Sequence, residues 1–547
     1  MFPLTPFEPG QLLQPAAPSG KKLALAAVLL AVAGGLSTAQ TASAQNGPAA
    51  VSLPSLGDNS ELAAGAERRI GDRIAASIYR DPDYIDDPVL WDYVQSLWQP
   101  LMAAAIARGE LHAELQERFA WEYFLIRDRT VNAFALPGAY FGIHLGLVGV
   151  VSNQDELAAV LAHELSHVTQ RHISRLLTQQ SRQAPWVIGA MILGALAASK
   201  NPQAASAAMA GGQALALQTQ LDFSRDMERE ADRVGFGVMT DAGFEGRGVT
   251  GVFEKLQQAA RLNDNGAFPY LRSHPLTTER IAEAQSRSQL SSKTPPAFPA
   301  DAAEATPSIK AGVLHAMMAA RARVLVEPGT DALRALSAEA KRASASVVEA
   351  GGPSLDLRQA ATLYAGAFAA AKLRDFGAAQ ALTERLRLRV AGNPAAIRVL
   401  DLLALEVDLM AGKTPMQATA LKLSPASSRA EVLTGGRALL VAGRAPEVSE
   451  RLQTWVSAHP GDASAWQLLG LAYAAQGQGV RAIRADAEAR FAQLDYTGAL
   501  DRFRAAQLMM RSNPGSADFM EGSIIDTRAR QIESLVKDQA LQNKLDR

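Results

Sequence analysis

The sequence predicts a mainly α-helical chain in two parts, an α+β domain with a small sheet followed by an α-solenoid. Three observations carry that prediction. Apolar residues recur at helical spacing over most of the 547 residues, whereas β-rich runs are confined to about 121–145. One capped helix, starting near Gln154, carries two histidines four residues apart. Beyond residue 308 the pattern is almost wholly helical and it repeats: Pro394, Pro425 and Pro460 are 31 and 35 residues apart (425 − 394, 460 − 425).

From the N-terminus, Lys21 and Lys22, an apolar run from Leu23 to Leu36 and then Ala42-Ser43-Ala44 have the layout of a secretory signal peptide. Residues 1–44 are therefore expected to be removed by cleavage after Ala44. The run falls short of the ~20 residues that span a bilayer, which leaves a retained anchor as the second reading. The chain has no cysteine, so an exported protein of this sequence has neither disulfides nor a lipid-modified N-terminus. Its 48% apolar and 20% charged residues are ordinary for a soluble globular protein, and a net charge of −1 argues against nucleic acid or a general anionic membrane surface as partner.

Residues 59–108 have helical periodicity interrupted at Asp81-Pro82 and Asp86-Asp87-Pro88, where proline ends one helix and opens the next. Leu90, Tyr93, Val94, Leu97 and Trp98 then form one apolar stripe. Trp121–Ile126 and Val131–Ala135 read as strands, the second joined through Leu136-Pro137-Gly138-Ala139 to Tyr140–Leu145. Pro137-Gly138 suits the centre of a type II turn. This is either a plain hairpin in a small sheet or, with a free edge at Asn132, Ala133 and Phe134, a strand that pairs with an extended substrate.

Asn153, with Glu156 three residues on, resembles a capping box, and Asp155 and Glu156 put negative charge in the first turn. Leu157, Val160, Leu161, Leu165 and Val168 give this helix a face to bury. His163 and His167 project together from a neighbouring face, where two imidazoles can share one tetrahedral metal ion. Glu164 lies about 100° round from His163, so its carboxylate serves a water rather than the metal, as a catalytic base. The spacing is the H-E-x-x-H signature of zinc peptidases. With 8 His in 547 residues, such a match is expected by chance roughly 0.006 times per chain, which sets coincidence aside. His172, five residues beyond His167, is turned away from the metal by the helix and reads as a solvated histidine beside Arg171 rather than a ligand.

One Zn2+ used for hydrolysis needs a third protein ligand downstream. Glu228 is the candidate, with Ala231 small enough to let two helices approach and Asp232 on the same face as a partner for a ligating histidine's other ring nitrogen. Glu230 falls on another side and is expected to pair with Arg229, Arg233 or solvent. Between the two helices, Trp186–Ala198 is uncharged and too short to span a bilayer. It reads as a buried helix or cover over the site, with a membrane-touching element as the second reading. Farther on, His274-Pro275 and Thr277-Thr278 mark a loop that opens another helix, and His274 or Arg280 could stabilise the transition state.

From Arg287 to Ser308 the chain is rich in Ser, Thr, Pro and Ala and reads as a linker, ending a domain of residues 45–286. In residues 309–547, Trp466-Gln-Leu-Leu469-Gly470-Leu-Ala-Tyr473 fits the W-x2-L-G-x2-Y core of a tetratricopeptide repeat. Gly436 lies 34 residues before Gly470 (470 − 436), and Ala499, Phe503 and Ala506 fit second-helix positions. A solenoid's concave face binds extended peptides or partners.

The order Asp86-Asp87-Pro88, Val131–Gly138, His163-Glu-Leu-Ser-His167, Glu228-Arg-Glu-Ala-Asp232 and His274-Pro275 resembles the zinc metallopeptidase family that includes the CAAX prenyl proteases. Within it, the chain is similar to exported bacterial members that join a zincin-type domain to C-terminal tetratricopeptide repeats. The resemblance implies zinc on His163, His167 and Glu228, Glu164 as base, and His274 as a fourth ligand that holds the enzyme inactive. It also implies a periplasmic endopeptidase that degrades misassembled outer-membrane proteins, with unfolded or stalled outer-membrane proteins as substrates and the outer-membrane assembly machinery as a partner of the repeats. Peripheral membrane contact fits that setting. The alternative is a chaperone or assembly factor that works through its repeats with a largely closed zinc site.

Overall fold

The computed structural model describes residues 62–180, 225–261, 267–291, 307–327, 329–346, 357–414, 423–512 and 519–545. The expected leader and the apolar run at 186–198 lie outside them. Among the described residues no helix is long and apolar enough to cross a membrane.

The first part comprises α1 (Ala64–Ile78), β1 (Tyr84–Ile85), α2 (Pro88–Ala107), α3 (Ala113–Arg118), β2 (Glu122–Ile126), β3 (Ala133–Leu136), β4 (Tyr140–His144), α4 (Leu145–Val150), α5 (Gln154–Thr169) and α6 (His172–Gln180). Asp87 caps α2 by accepting from the Leu90 N–H at 2.9 Å, and Pro88 occupies the first turn, where its missing N–H costs nothing. The stripe from Leu90 to Trp98 is buried. Strand order is β1-β2-β4-β3, with β2 parallel to β4 and the other two pairs antiparallel. β1 is absent from the sequence reading because two residues between proline breaks carry no periodicity.

The expected hairpin forms as β3 and β4, and β3, like β1, is an edge strand of the described sheet. Gly138 (φ 74°) has the positive φ that the second central position of a type II turn requires, and Ala139 after it is left-handed as well (φ 60°). That conformation delivers the carbonyls of Gly138 and Ala139 to the N–H groups of Ala120 and Glu122, at 2.9 and 3.1 Å, and ties the turn to β2. α1 crosses the turn so closely that a Cβ on Gly71 would stand 2.0 Å from the Pro137 carbonyl oxygen. α5 lies beneath β3.

Next come α7 (Arg225–Asp241), α8 (Arg247–Arg261), α9 (Tyr270–Ser273) and α10 (Thr278–Ser291), of which α7 and α8 pack on α5. The described part of the C-terminal half is helical: α11 (Pro307–Val326), α12 (Thr330–Ser346), α13 (Leu357–Lys372), α14 (Phe376–Arg389), α15 (Pro394–Met410), α16 (Arg429–Val441), α17 (Ala445–Ala458), α18 (Ala463–Ala475), α19 (Gly479–Ala492), α20 (Tyr496–Ser512) and α21 (Phe519–Leu545). From α16 onward each helix packs on the next. Trp466, Leu469 and Tyr473 sit in the core of this stack, and Ala499, Phe503 and Ala506 in that of the last three helices.

The two halves share one apolar core, which runs from Ala64 to Ala430. α11 covers α4, and α16 lies on α2. Two adjacent acids at the start of α2 reach across. Asp87 pairs with buried Arg321 at 2.8 Å, which also meets Glu406 at 2.6 Å and the Tyr364 hydroxyl at 3.1 Å. Asp86 takes both arms of Arg429 at 2.7 Å, and Asp462 holds the same guanidinium from the other side at 2.9 Å.

Candidate metal centre

α5 begins where the sequence places it. Asn153 accepts from the Glu156 N–H at 2.9 Å, but the reciprocal arm of the box is displaced: Glu156 accepts from the Ser152 N–H at 2.7 Å and binds Lys255 at 2.7 Å. Lys255 on α8 pulls the carboxylate outward. About three and four turns beyond the Asn153 cap, His163 and His167 bring their Nε2 atoms to 3.0 Å. α7 presents Glu228 from its first turn. Its approach depends on Ala231, fully buried, and on Gly235, where a Cβ would lie 3.0 Å from the Ala162 carbonyl oxygen. His274 follows α9 and points Nδ1 into the same space.

These four side chains, all buried, offer ligand atoms within 4.8 Å of one another. His274 Nδ1 lies 3.3 Å from His163 Nε2 and 2.9 Å from Glu228 Oε1. Glu228 Oε2 is 3.5 Å from His163 Nε2, and Glu228 Oε1 is 3.4 Å from His167 Nε2. A tetrahedron with metal–ligand bonds near 2.0 Å has edges of about 3.3 Å, so the donor set fits a zinc ion. Three imidazoles and one carboxylate are also the donors zinc takes.

Around them stands a shell of charged partners. Asp232 Oδ1 lies 3.0 Å from His163 Nδ1. Arg280, buried, grips both oxygens of Asp232 at 2.6 and 2.8 Å and meets Glu228 Oε2 at 2.7 Å and the Pro275 carbonyl at 2.8 Å. Burial works against ionised Asp232, but Arg280 and His163 outweigh it and hold its pKa at about 2. With its guanidinium committed in this way, Arg280 orders the ligands, and the sequence reading of it as a transition-state donor gives way.

Glu164 is buried, and neither of its oxygens has a hydrogen bond of good geometry among the described residues. His274 Nε2 is 3.4 Å from Oε1. Burial pushes its carboxyl up, against the pull of His274, His163 and the Tyr270 hydroxyl. Tyr270 was missed by the sequence reading; its ring stacks on His274 with centroids 4.6 Å apart. Its neighbour in the chain, a stretch read as loop, gave no periodic signal.

His172 is a correction. It is fully buried, with Nδ1 2.9 Å from His167 Nδ1 and Nε2 3.0 Å from Glu230 Oε2. His172 stays off the ligand cluster as expected, but its ring is buried rather than solvated because the helix is not continuous: α5 ends at Thr169, Arg171 takes a left-handed φ of 58°, and a new helix starts at His172. Glu230 likewise turns to His172 and, at 3.0 Å, to Arg175, with Arg233 at 4.0 Å.

Of the strand residues, Asn132 gives its carbonyl to the His144 N–H at 3.1 Å and so faces β4. Alternation then turns the backbone of Ala133 to the outer side, where the neighbouring Val131 N–H already bonds the Ala267 carbonyl at 2.8 Å. Phe134 lays its ring over Gly142, where a Cβ would stand 2.1 Å from Cζ. Asn132 Oδ1 is buried without a hydrogen bond among the described residues.

Residues 94–288, which contain every side chain of this centre, match the model of Peptidase family M48. The chain is 35% identical over 241 residues to the beta-barrel assembly-enhancing protease of Escherichia coli, covering 43% of this chain and 47% of the relative. It is 29% identical over 450 residues to the protein of the same name from Yersinia pestis, covering 81% and 84%. It is also 31% identical over 165 residues to the mitochondrial metalloendopeptidase OMA1 of Schizosaccharomyces pombe, covering 30% and 46%. The first and third of these matches span about half of the relative's length.

Proposed function

We propose that this chain, whose residues 94–288 form a zinc metallopeptidase domain of Peptidase family M48, is an exported endopeptidase acting on outer-membrane proteins during their assembly. The observation that carries the proposal is a donor set at tetrahedral spacing beside the buried Glu164 carboxylate, which has no hydrogen bond of good geometry among the described residues. Zinc bound there supplies Lewis acidity to a peptide carbonyl and to water. His163, His167 and Glu228 hold it. Glu164 takes the proton from the attacking water and returns it to the leaving amine, and its raised proton affinity suits a group that must carry a proton between two steps.

β3 is the strand against which an extended substrate pairs, through the outward backbone of Ala133, with Asn132 and Phe134 beside it. His274 at the fourth corner closes the resting site, and Asp232 orients His163. The repeat-like helices of residues 309–547 recruit the substrate or the assembly machinery. The names of the relatives support outer-membrane protein assembly as the setting, and the leader-like residues 1–44 support the periplasm. Misassembled outer-membrane proteins are the expected substrates; the 186–198 run, read first as a buried helix or cover and second as a membrane-touching element, lies outside the described residues.

One observation favours a second reading, that of an assembly factor with a mostly closed site: His274 fills the corner that a water needs. Glu164→Gln separates the two. The variant is expected to keep one zinc per chain while cleavage of an unfolded β-barrel protein falls by about 10²-fold or more. Cleavage at the parent rate by a zinc-replete variant would exclude the peptidase mechanism. Full rescue of an envelope defect by the inactive variant would make the assembly role the main one.

A further inference from the structure

His167 faces the ligand cluster through Nε2, 3.4 Å from Glu228 Oε1. Holding a cation there requires a lone pair on that nitrogen, so the proton of the neutral ring sits on Nδ1. Nδ1 faces His172 Nδ1 at 2.9 Å, a distance at which two ring nitrogens share one proton. Since His167 supplies it, His172 accepts, and neutral His172 carries its own proton on Nε2. That N–H points at Glu230 Oε2, 3.0 Å away. Arg175 Nη2 holds the same oxygen at 3.0 Å and is itself anchored on the Gln170 carbonyl at 2.7 Å.

The three contacts are satisfied together by one assignment of protons, running from His167 through His172 to Glu230. The two ligating histidines are thus served differently. His163 has its carboxylate, Asp232, directly at 3.0 Å, whereas His167 has its carboxylate one ring farther away. Resting on the zinc-peptidase reading above, we propose that His172 and Glu230 are a positioning relay for zinc. They fix the tautomer and ring plane of His167 and strengthen it as a donor, so that metal affinity depends on two residues that do not touch the metal.

Merely filling space beneath His167 would require only the volume of an aromatic ring, and that difference makes the relay testable. The measurement is the zinc dissociation constant of the full chain, by competition with a chromophoric chelator at about pH 7.5, where free histidine is neutral. The thermal midpoint of each metal-free variant is followed alongside. His172→Phe keeps the volume and removes the acceptor; zinc should bind about 10–100-fold more weakly. His172→Gln offers a carbonyl oxygen to His167 and an amide N–H to Glu230, and should recover most of that loss. Glu230→Ala, at a partly exposed position, should weaken zinc by about 10-fold and provides the test if His172→Phe fails to fold. With cobalt in place of zinc, the visible absorption bands should shift in His172→Phe and return in His172→Gln. Parent-like zinc affinity in His172→Phe, or in Glu230→Ala where that variant stands in, overturns the relay, as does a glutamine variant no tighter than phenylalanine. A parent chain that binds zinc with this dependence on position 172 but cleaves nothing overturns the peptidase reading alone. One that cleaves while its affinity is indifferent to position 172 overturns the relay alone.

Discussion

His274 and Glu122 show how a single side chain's surroundings set its behaviour. His274 presents Nδ1 to Glu228 and His163 and stacks on Tyr270. Replacing it with alanine leaves His163, His167 and Glu228, enough for an open zinc site. His274→Ala is therefore expected to keep its zinc and cleave unfolded β-barrel substrate faster than the parent, whereas loss of zinc would make His274 a required ligand. Glu122, at the start of β2, accepts from the Tyr79 hydroxyl at 3.0 Å, and burial lifts its pKa from 4.5 to about 7. It binds its proton more tightly folded than unfolded, so its charge costs stability fully above about pH 7, and that cost disappears as pH falls below 4.5. Glu122→Gln should therefore stabilise the chain by about 1–3 kcal/mol at pH 8 and by nothing near pH 4. Denaturant midpoints of parent and variant that differ equally at both pH values would rule this out.

Where a helix stops can matter as much as what it carries. The break between α5 and α6 rests on Arg171, held in its left-handed conformation by several contacts, one of them to the Ser174 hydroxyl at 3.2 Å. Its Nη1 meets buried Glu67 on α1 at 2.6 Å, its Nη2 reaches the Leu62 carbonyl at 2.5 Å, and its guanidinium lies 5.4 Å from the Phe119 ring centroid. A non-glycine residue at such a φ needs surroundings that over-determine it. Arg171→Ala removes them and takes the Arg171 guanidinium away from the buried Glu67 carboxylate, at a cost of about 3–5 kcal/mol. The denaturant midpoint should fall accordingly, and zinc should weaken because His172 follows the break. A midpoint within about 0.5 kcal/mol of the parent would show that the break holds itself.

On the scale of the whole molecule, the metal centre and the helical stack are not independent. Asp86 and Asp87 stand side by side at the start of α2, and each is neutralised by an arginine more than two hundred residues away, Arg429 and Arg321. A chain ending at Ser308 lacks both arginines and also α11, which covers α4. Such a truncated chain is expected to be unfolded or insoluble, and Arg321→Ala in the full chain to lose about 3–5 kcal/mol. A truncated chain that is soluble and melts at the parent's temperature would show that the first half stands alone. The role of the C-terminal helices is therefore better probed by surface substitutions in the full chain than by deletion.

Short-range physics made much of this legible beforehand. The Asn153 cap, the four-residue spacing of His163 and His167, the shared face of Glu228 and Asp232, the β3–β4 hairpin and the helical second half all follow from hydrogen bonds and periodicities that span a few residues. What needed the tertiary structure depends on where elements end and what they meet. A left-handed residue at Arg171 turned His172 from solvent into the core. Lys255 displaced half of a capping box. Arg280 was claimed by Asp232 and Glu228, and β3 became an edge because β4 pairs with β2 on its other side. Each of these is set by a partner distant in sequence, and a window of a few residues contains neither that partner nor the geometry that brings it near.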